Sequence, residues 1–133
     1  MTLTTTTEVK KWLRGLPLLK KDLELRSAFY IDLMRDSQTM KQAGKRHEEY
    51  YLAQAERLQE KMRKLTADAD RLMEMLEPDE RVVLHARYIK GVLWDGIEFY
   101  IHYSRRSAVR IHNRALKKLV GQEVEADVYT GEE

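Results

Sequence analysis

The strongest constraint on this chain lies between residues 51 and 76. There Tyr51, Ala55, Leu58, Met62, Leu65, Ala69, Leu72 and Leu76 recur at spacings that alternate between four and three. An apolar stripe sustained over more than three heptads is the pattern of a long helix with a coiled-coil-like seam. A helix of ~30 residues is about 45 Å long, so one short neighbour cannot cover that seam. It must meet the helix upstream, a second copy of the chain, or both. An intramolecular hairpin and a dimer satisfy the spacing equally well.

The remaining composition agrees with an all-α chain. Leu, Ala, Met, Lys, Arg and Glu are abundant, and two Pro and six Gly interrupt 133 residues. Cysteine is absent, which excludes disulfides, thiolate chemistry and Cys-held zinc or iron–sulfur groups. No apolar run approaches the ~20 residues of a membrane span, and Met1–Pro17 lacks the apolar core of a signal peptide. A soluble, cytoplasmic protein with no membrane partner is the expectation. Ahead of the heptad stripe, Met1–Thr7 is mostly Thr and is expected to fray. A short amphipathic turn, Glu8–Arg14, should close at Gly15, with Pro17 opening a new helix. That helix carries Leu16, Leu19, Leu23, Tyr30 and Leu33 at helical spacing, interrupted by Arg26, and Asp36–Lys45 is the expected connection.

Glu77-Pro78-Asp79-Glu80 punctuates the chain. Pro78 disfavours helix at Glu77 and suits a first helical turn, where Asp79 and Glu80 complement the positive helix end. The helix so opened carries Val82, Val83, Ala86, Arg87, Tyr88 and Ile89, and stops at Gly91. A second short helix, Leu93–His102, presents Leu93, Trp94, Ile97 and Ile101, with Gly96 inside it. Trp94, Phe99, Tyr100 and Tyr103 cluster around it; most should be core, with Phe99 or Tyr100 left at the surface. Tyr103 fills a tight connection, and Ser104 is a good N-cap for a last helix, Arg105–Val120.

Charge is distributed unevenly over these segments. Residues 79–120 hold nine basic and four acidic side chains, whereas residues 121–133 hold five acidic and no basic ones. His102–Val120 alone has six Lys or Arg and no carboxylate, which suggests a polyanion-binding face followed by a loose acidic tail. Short helices joined by a tight turn, the last of them basic, form the outline of a helix-turn-helix. In that last helix Ala108, Ile111, His112, Ala115, Leu116 and Leu119 can bury one stripe. Arg106, Arg110, Asn113, Arg114 and Lys117 lie on the other, with Arg105, Arg106 and Ser107 in the first turn. The planar fork of Arg can hold guanine or a phosphate through two bonds, and free N–H groups after Ser104 form a small anion site.

Here the sequence takes on a specific likeness. Glu80-Arg81-Val82-Val83-Leu84, Arg87-Tyr88-Ile89-Lys90-Gly91 and Ala115-Leu116-Lys117-Lys118-Leu119 resemble the region 4 helix-turn-helix of bacterial sigma factors. The variant they resemble most is that of the ArpU/RinA family of phage-encoded late-gene transcription activators, which also place a helical, coiled-coil-like half first. The likeness covers about a third of the chain. It implies base-reading positions at Arg105, Arg106, Ser107 and Arg110, and a scaffold of Val83, Ile97, Ile111 and Leu116. It also implies double-stranded DNA and host RNA polymerase as partners. One position departs from the pattern: a small residue usually follows the buried Ile of the scaffold helix, and here Glu98 does.

Chemistry of another kind finds no support. His47, His85, His102 and His112 lack metal-ligand spacing, no Gly-rich phosphate loop occurs, and carboxylates are scattered over helix faces. No catalytic residue, metal or cofactor is expected. The expected organisation is therefore an N-terminal long-helix hairpin or coiled-coil-like region over 1–77, a sigma region 4-like helix-turn-helix over 78–120, and an acidic flexible tail over 121–133. The expected function is a DNA-binding transcriptional regulator of a phage or prophage, a homodimer that acts in the bacterial host cell. Ser104, Arg105, Arg106, Ser107, Arg110, Asn113, Arg114, Lys117 and Lys118 are the expected DNA contacts. Arg105, Arg106 and Arg110 should read bases, and Arg114, Lys117 and Lys118 should hold phosphates. A DNA-packaging subunit resembling a small terminase, and a helical protein-binding adaptor, stay open as alternatives.

Overall fold

A computed structural model describes residues 1–40 and 45–129. Two long helices, α1 (Thr6–Met40) and α2 (Lys45–Glu74), pack against each other. The expected break at Gly15–Pro17 does not occur, and α1 runs through both residues. A proline inside a helix costs ~3 kcal/mol and a glycine ~1 kcal/mol relative to alanine. Burial outweighs that penalty, because Val9, Trp12, Leu13 and Leu16 upstream share one core with Leu23 downstream. The N-terminus of α1 is held rather than frayed. Thr5 Oγ1 accepts from the Glu8 N–H at 3.2 Å, and the Glu8 carboxylate accepts from Thr4 N–H and Thr4 Oγ1, each at 2.7 Å. Since α1 continues to Met40, the expected Asp36–Lys45 connection is helical in its first part, and 41–44 lie outside the described residues.

The heptad seam of α2 is filled from within the chain. Ala55, Leu58, Leu65, Leu72 and Leu76 are buried, and all but Ala55 belong to the core cluster that holds Leu16 and Leu23 of α1, with Met62 and Ala69 packed against it. At one end of the hairpin, Tyr30 meets Tyr50 and Tyr51 at ring-centroid distances of 6.5 and 6.4 Å.

After Leu76 the chain turns into α3 (Pro78–Leu84), which starts at the proline and carries a capping box between Glu77 and Glu80. Its last turn widens into a π turn, His85–Ile89, closed by Lys90 N–H to His85 O at 3.0 Å. Gly91 follows with φ +68°, a conformation that favours glycine. The expected second helix is shorter than its sequence outline: a 3₁₀ turn, Trp94–Gly96, leads into α4 (Ile97–Ile101). His102 at φ 61° then turns the chain into α5 (Arg105–Leu119).

Two buried clusters hold these elements. The larger contains Leu84, Tyr88, Ala115, Leu116 and Leu119 together with the side chains of α1 and α2, so it crosses from the first half of the chain to the second. The smaller is built on Ala86, Ile97 and Ala108, with Val92, Trp94, Ile101 and Tyr103 packed around it.

The acidic segment after α5 is not loose through Tyr129. Residues 121–124 lie antiparallel to residues 1–3: Leu3 N–H donates to Gln122 O at 2.9 Å, and Val124 N–H to Met1 O at 2.8 Å. A short helix, α6 (Ala126–Tyr129), follows. Val124 and Val128 are buried in the main core, which also holds Leu3 and Trp12. Asp68 of α2 accepts from Glu125 N–H and from the Tyr129 hydroxyl, both at 2.9 Å. These apolar positions and that buried carboxylate dock residues 121–129, whose three acidic residues concealed their two valines.

Candidate nucleic-acid interface

Helix α5 is where sequence and structure agree most closely. Ser104 caps it, its Oγ accepting from Ser107 N–H at 3.1 Å. Ala108, Ile111, His112, Ala115, Leu116 and Leu119 are all buried. On the opposite side Arg106, Arg110, Asn113 and Lys117 recur at four, three and four residues and are exposed. Among the described residues Arg106, Arg110 and Lys117 have no ion pair, so three cations project from one stripe about 16 Å long.

The other expected contacts are placed differently. Arg114 and Lys118 are engaged by α3: Arg114 Nε reaches Glu80 Oε2 at 3.1 Å, its NH2 reaches Asp79 Oδ2 at 2.8 Å, and Lys118 Nζ reaches Glu80 Oε1 at 2.6 Å. Glu80 is fully buried and also accepts from Glu77 N–H at 2.7 Å. Burial pushes its carboxyl up, but the bonds from Lys118, the Glu77 amide and Arg114 outweigh burial and hold it below the ordinary range. Arg114 likewise holds Asp79 low, and the two carboxylates raise Arg114 in turn. Arg114 and Lys118, expected as phosphate holders, therefore also anchor α5 to α3, while 47% and 36% of their side chains stay exposed. A carboxylate with no access to water demands cations, and these two are one helical turn apart.

The start of α5 is also occupied. Glu98 is exposed in the first turn of α4, and its Oε1 accepts from Arg105 N–H at 3.0 Å, while Arg105 NH1 reaches Asp95 Oδ1 at 2.7 Å. Two of the backbone donors after Ser104, those of Arg105 and Ser107, thus have a carboxylate and a hydroxyl as partners, and Glu98 occupies part of the small anion site expected there. Ser104, Arg105 and Ser107 sit at this end, with Arg105 in an exposed ion pair that water weakens.

Beneath the basic stripe, His112 fixes the helix orientation. Its Nε2 lies 2.6 Å from the Tyr88 hydroxyl and its Nδ1 lies 3.1 Å from Asn113 Oδ1. An Nδ1–H donated to Asn113 leaves Nε2 to accept from Tyr88. Burial lowers the His112 pKa and raises that of Tyr88, so both stay neutral near pH 7. Trp94 meets the imidazole edge-on at 5.0 Å, and the Arg87 guanidinium stacks over Trp94 at 4.4 Å while NH1 donates to Val92 O at 2.8 Å.

Sequence reasoning missed Glu80 as the buried centre and Glu98 as a cap. The signal for Glu80 was present: it is N3 of a Pro-initiated helix, 34 and 38 residues before two cations one turn apart. Phe99 and Tyr100, of which one was expected at the surface, are both exposed, Phe99 at 84%. Leu93, an apolar residue of the expected second helix, is exposed and lies just ahead of the 3₁₀ turn.

Among the described residues no group of three or more acidic or His side chains could hold a metal ion, and no helix is long and apolar enough to cross a membrane. Comparison with known proteins finds no matching family model, curated protein or solved structure.

Proposed function

We propose that the chain is a DNA-binding transcriptional regulator whose α4–turn–α5 unit acts as a helix-turn-helix, with α5 entering the major groove. The observation that carries this reading is the stripe of Arg106, Arg110 and Lys117, exposed and without ion pairs among the described residues, beside the amide of Asn113. Nothing in the packing of the chain needs these cations, whereas Arg114 and Lys118 also anchor α5 to α3. Arg106 and Arg110, nearest the start of the helix, are suited to guanine edges, Asn113 to adenine, and Lys117 to a phosphate. The likeness to ArpU/RinA-type activators supports a phage or prophage setting inside the bacterial host cell and an action on transcription.

The test is duplex binding by fluorescence anisotropy across a salt series. Lys117→Ala is expected to flatten the log–log salt slope by about one unit, and Arg106→Ala and Arg110→Ala to weaken binding while relaxing sequence preference. Lys118→Ala is expected to lower thermal stability and leave the slope near that of wild type. Absence of duplex binding at low salt would reject the DNA role. A second reading, docking of a protein such as host RNA polymerase, is favoured by one feature: Phe99 stands almost fully bare on α4, close to α5.

A further inference from the structure

The first half of α1 is as one-sided in charge as α5. Val9–Lys21 holds five Lys or Arg and no carboxylate, and apart from Glu8 the acidic residues of α1 begin at Asp22. Lys10, Arg14 and Lys21 recur at four and seven residues, so they share one side of the helix over roughly 16 Å. Arg14 and Lys21 are exposed, Lys10 is half-buried, and none of the three has an ion pair among the described residues. We propose that this row is a second DNA contact, in which α1 holds the phosphate strand that runs beside α5. The proposal rests on the helix-turn-helix reading and extends the interface into the N-terminal half of the chain.

Helix phase places α1 where that strand passes. Lys117 stands in the exposed stripe of α5, and its neighbours Leu116 and Lys118 lie about 100° to either side of it. The Lys118 flank is closed by α3 through Glu80. The Leu116 flank faces the main core, where Leu116 joins Val9, Leu13 and Leu16, and α1 packs on both α5 and the π turn. Lys10 and Arg14 follow Val9 and Leu13 directly in the chain, so they stand at the edge of that contact. Their charge is felt inside it: burial lowers the His112 pKa, and Lys10, Arg87 and Arg14 add to that shift. Through Nδ1 the same imidazole lies 3.1 Å from Oδ1 of Asn113, a member of the exposed stripe. The major groove is about 12 Å wide, so a helix lying in it has a phosphate strand along each wall. On the flank away from α3, the residues of this chain that meet that wall are the cations of α1.

Electrostatics supplies the driving force. Folding sets this row beside Arg106, Arg110 and Lys117, and neither Val9–Lys21 nor Arg105–Val120 contains a carboxylate. Like charges gathered in this way repel one another, and a duplex relieves the repulsion while releasing its own condensed counterions.

The test is the anisotropy of a labelled mixed-sequence duplex titrated with the full chain across a salt series. Lys10→Gln with Arg14→Gln should flatten the log–log salt slope by about two units, a loss of roughly 60-fold in affinity at about 0.1 M salt. Lys21→Gln should flatten it by about one unit, and Arg14→Lys, which keeps the charge, should leave it near wild type. Phosphate contacts carry no sequence information, so GC-rich and AT-rich duplexes should lose affinity by the same factor to within about twofold. Lys11→Gln is the control, since Lys11 lies on the side of Glu8 and Asp22, and it should leave the slope unchanged. Gln retains part of the methylene stem, so melting temperatures should hold to within about 2 °C. A slope unmoved by the Lys10 and Arg14 changes, while Lys117→Ala flattens it, would overturn this proposal and leave the helix-turn-helix reading standing. Equal flattening by Lys11→Gln would overturn it too, by showing a diffuse charge effect rather than a row that meets one strand. Absence of duplex binding by the wild-type chain would reject both readings.

Discussion

Glu80 shows how a single buried carboxylate can assign roles to distant residues. It caps the start of α3, accepts from the Glu77 amide, and draws Arg114 and Lys118 down from the basic helix. Glu80→Ala is expected to destabilise the fold by about 2–3 kcal/mol, because a cap is lost while the two half-exposed cations can rehydrate. Urea denaturation of Glu80→Ala, Lys118→Ala and the double variant forms the cycle that checks it, and additive effects would refute the coupling. The pH dependence has two windows of the same sign. Keeping the His112 imidazole neutral stabilises the fold fully above its ordinary pKa of 6.5, and that stability declines as pH falls towards the depressed folded value. Glu80 and Asp79, also depressed, contribute fully above their ordinary values of 4.5 and 3.8 and lose that contribution as pH falls through the lower folded ones. Melting temperature should therefore decline first just below pH 6.5 and again below pH 4.5. His112→Gln should remove the first decline, whose slope is at most ~1.4 kcal/mol per pH unit for one proton.

At the scale of elements, α1 holds against its own local preferences. Gly15 is helical with open space where a Cβ would stand, so Gly15→Ala should raise stability by about 0.5–1 kcal/mol, read as a shift of the urea midpoint at constant slope. A decrease would mean that the helix bends at this point in a way that alanine resists. The same element marks where sequence reading succeeds and fails. The long helix of the heptad stripe, the proline start of α3 and the Ser104 cap were legible because each rests on spacing or on backbone chemistry within a few residues. So were the buried and exposed sides of α5, where apolar and basic residues alternate with a helical period. The continuity of α1 was not legible, since it depends on a core shared by Leu16, Leu23, Leu58 and Leu84 that local rules do not register. The roles of Arg114 and Lys118 were hidden for the same reason. Sequence distinguishes a cation from a leucine, but it does not show whether a carboxylate 34 residues earlier folds back beneath it.

Over the whole molecule, the main core joins the first turns of α1, the heptad stripe, α5 and the segment after it, so no half of the chain buries its apolar surface alone. The smaller cluster around Ala86, Ile97 and Ala108 is too slight to stand by itself, and it is tied to the larger one where Trp94 meets His112 and His112 meets Tyr88. Unfolding should accordingly be a single transition. The two tryptophans report it independently, Trp12 from the main core and Trp94 from the smaller cluster. Trp94→Phe leaves Trp12 as the reporter and Trp12→Phe leaves Trp94. In each variant, the fluorescence midpoint should coincide with that variant's own helicity midpoint to within about 2 °C. Val128→Ala, made in each background, probes the coupling from the far end. It removes part of a buried side chain in the cluster that also holds Trp12 and Leu3, and should lower stability by about 1–2 kcal/mol. Because the core is continuous, both reporters must register that loss equally, although Trp94 belongs to a different cluster from Val128. A Trp94 signal unmoved by Val128→Ala, or one that melts apart from helicity, would show that the basic helix and its short supports form a separate cooperative unit.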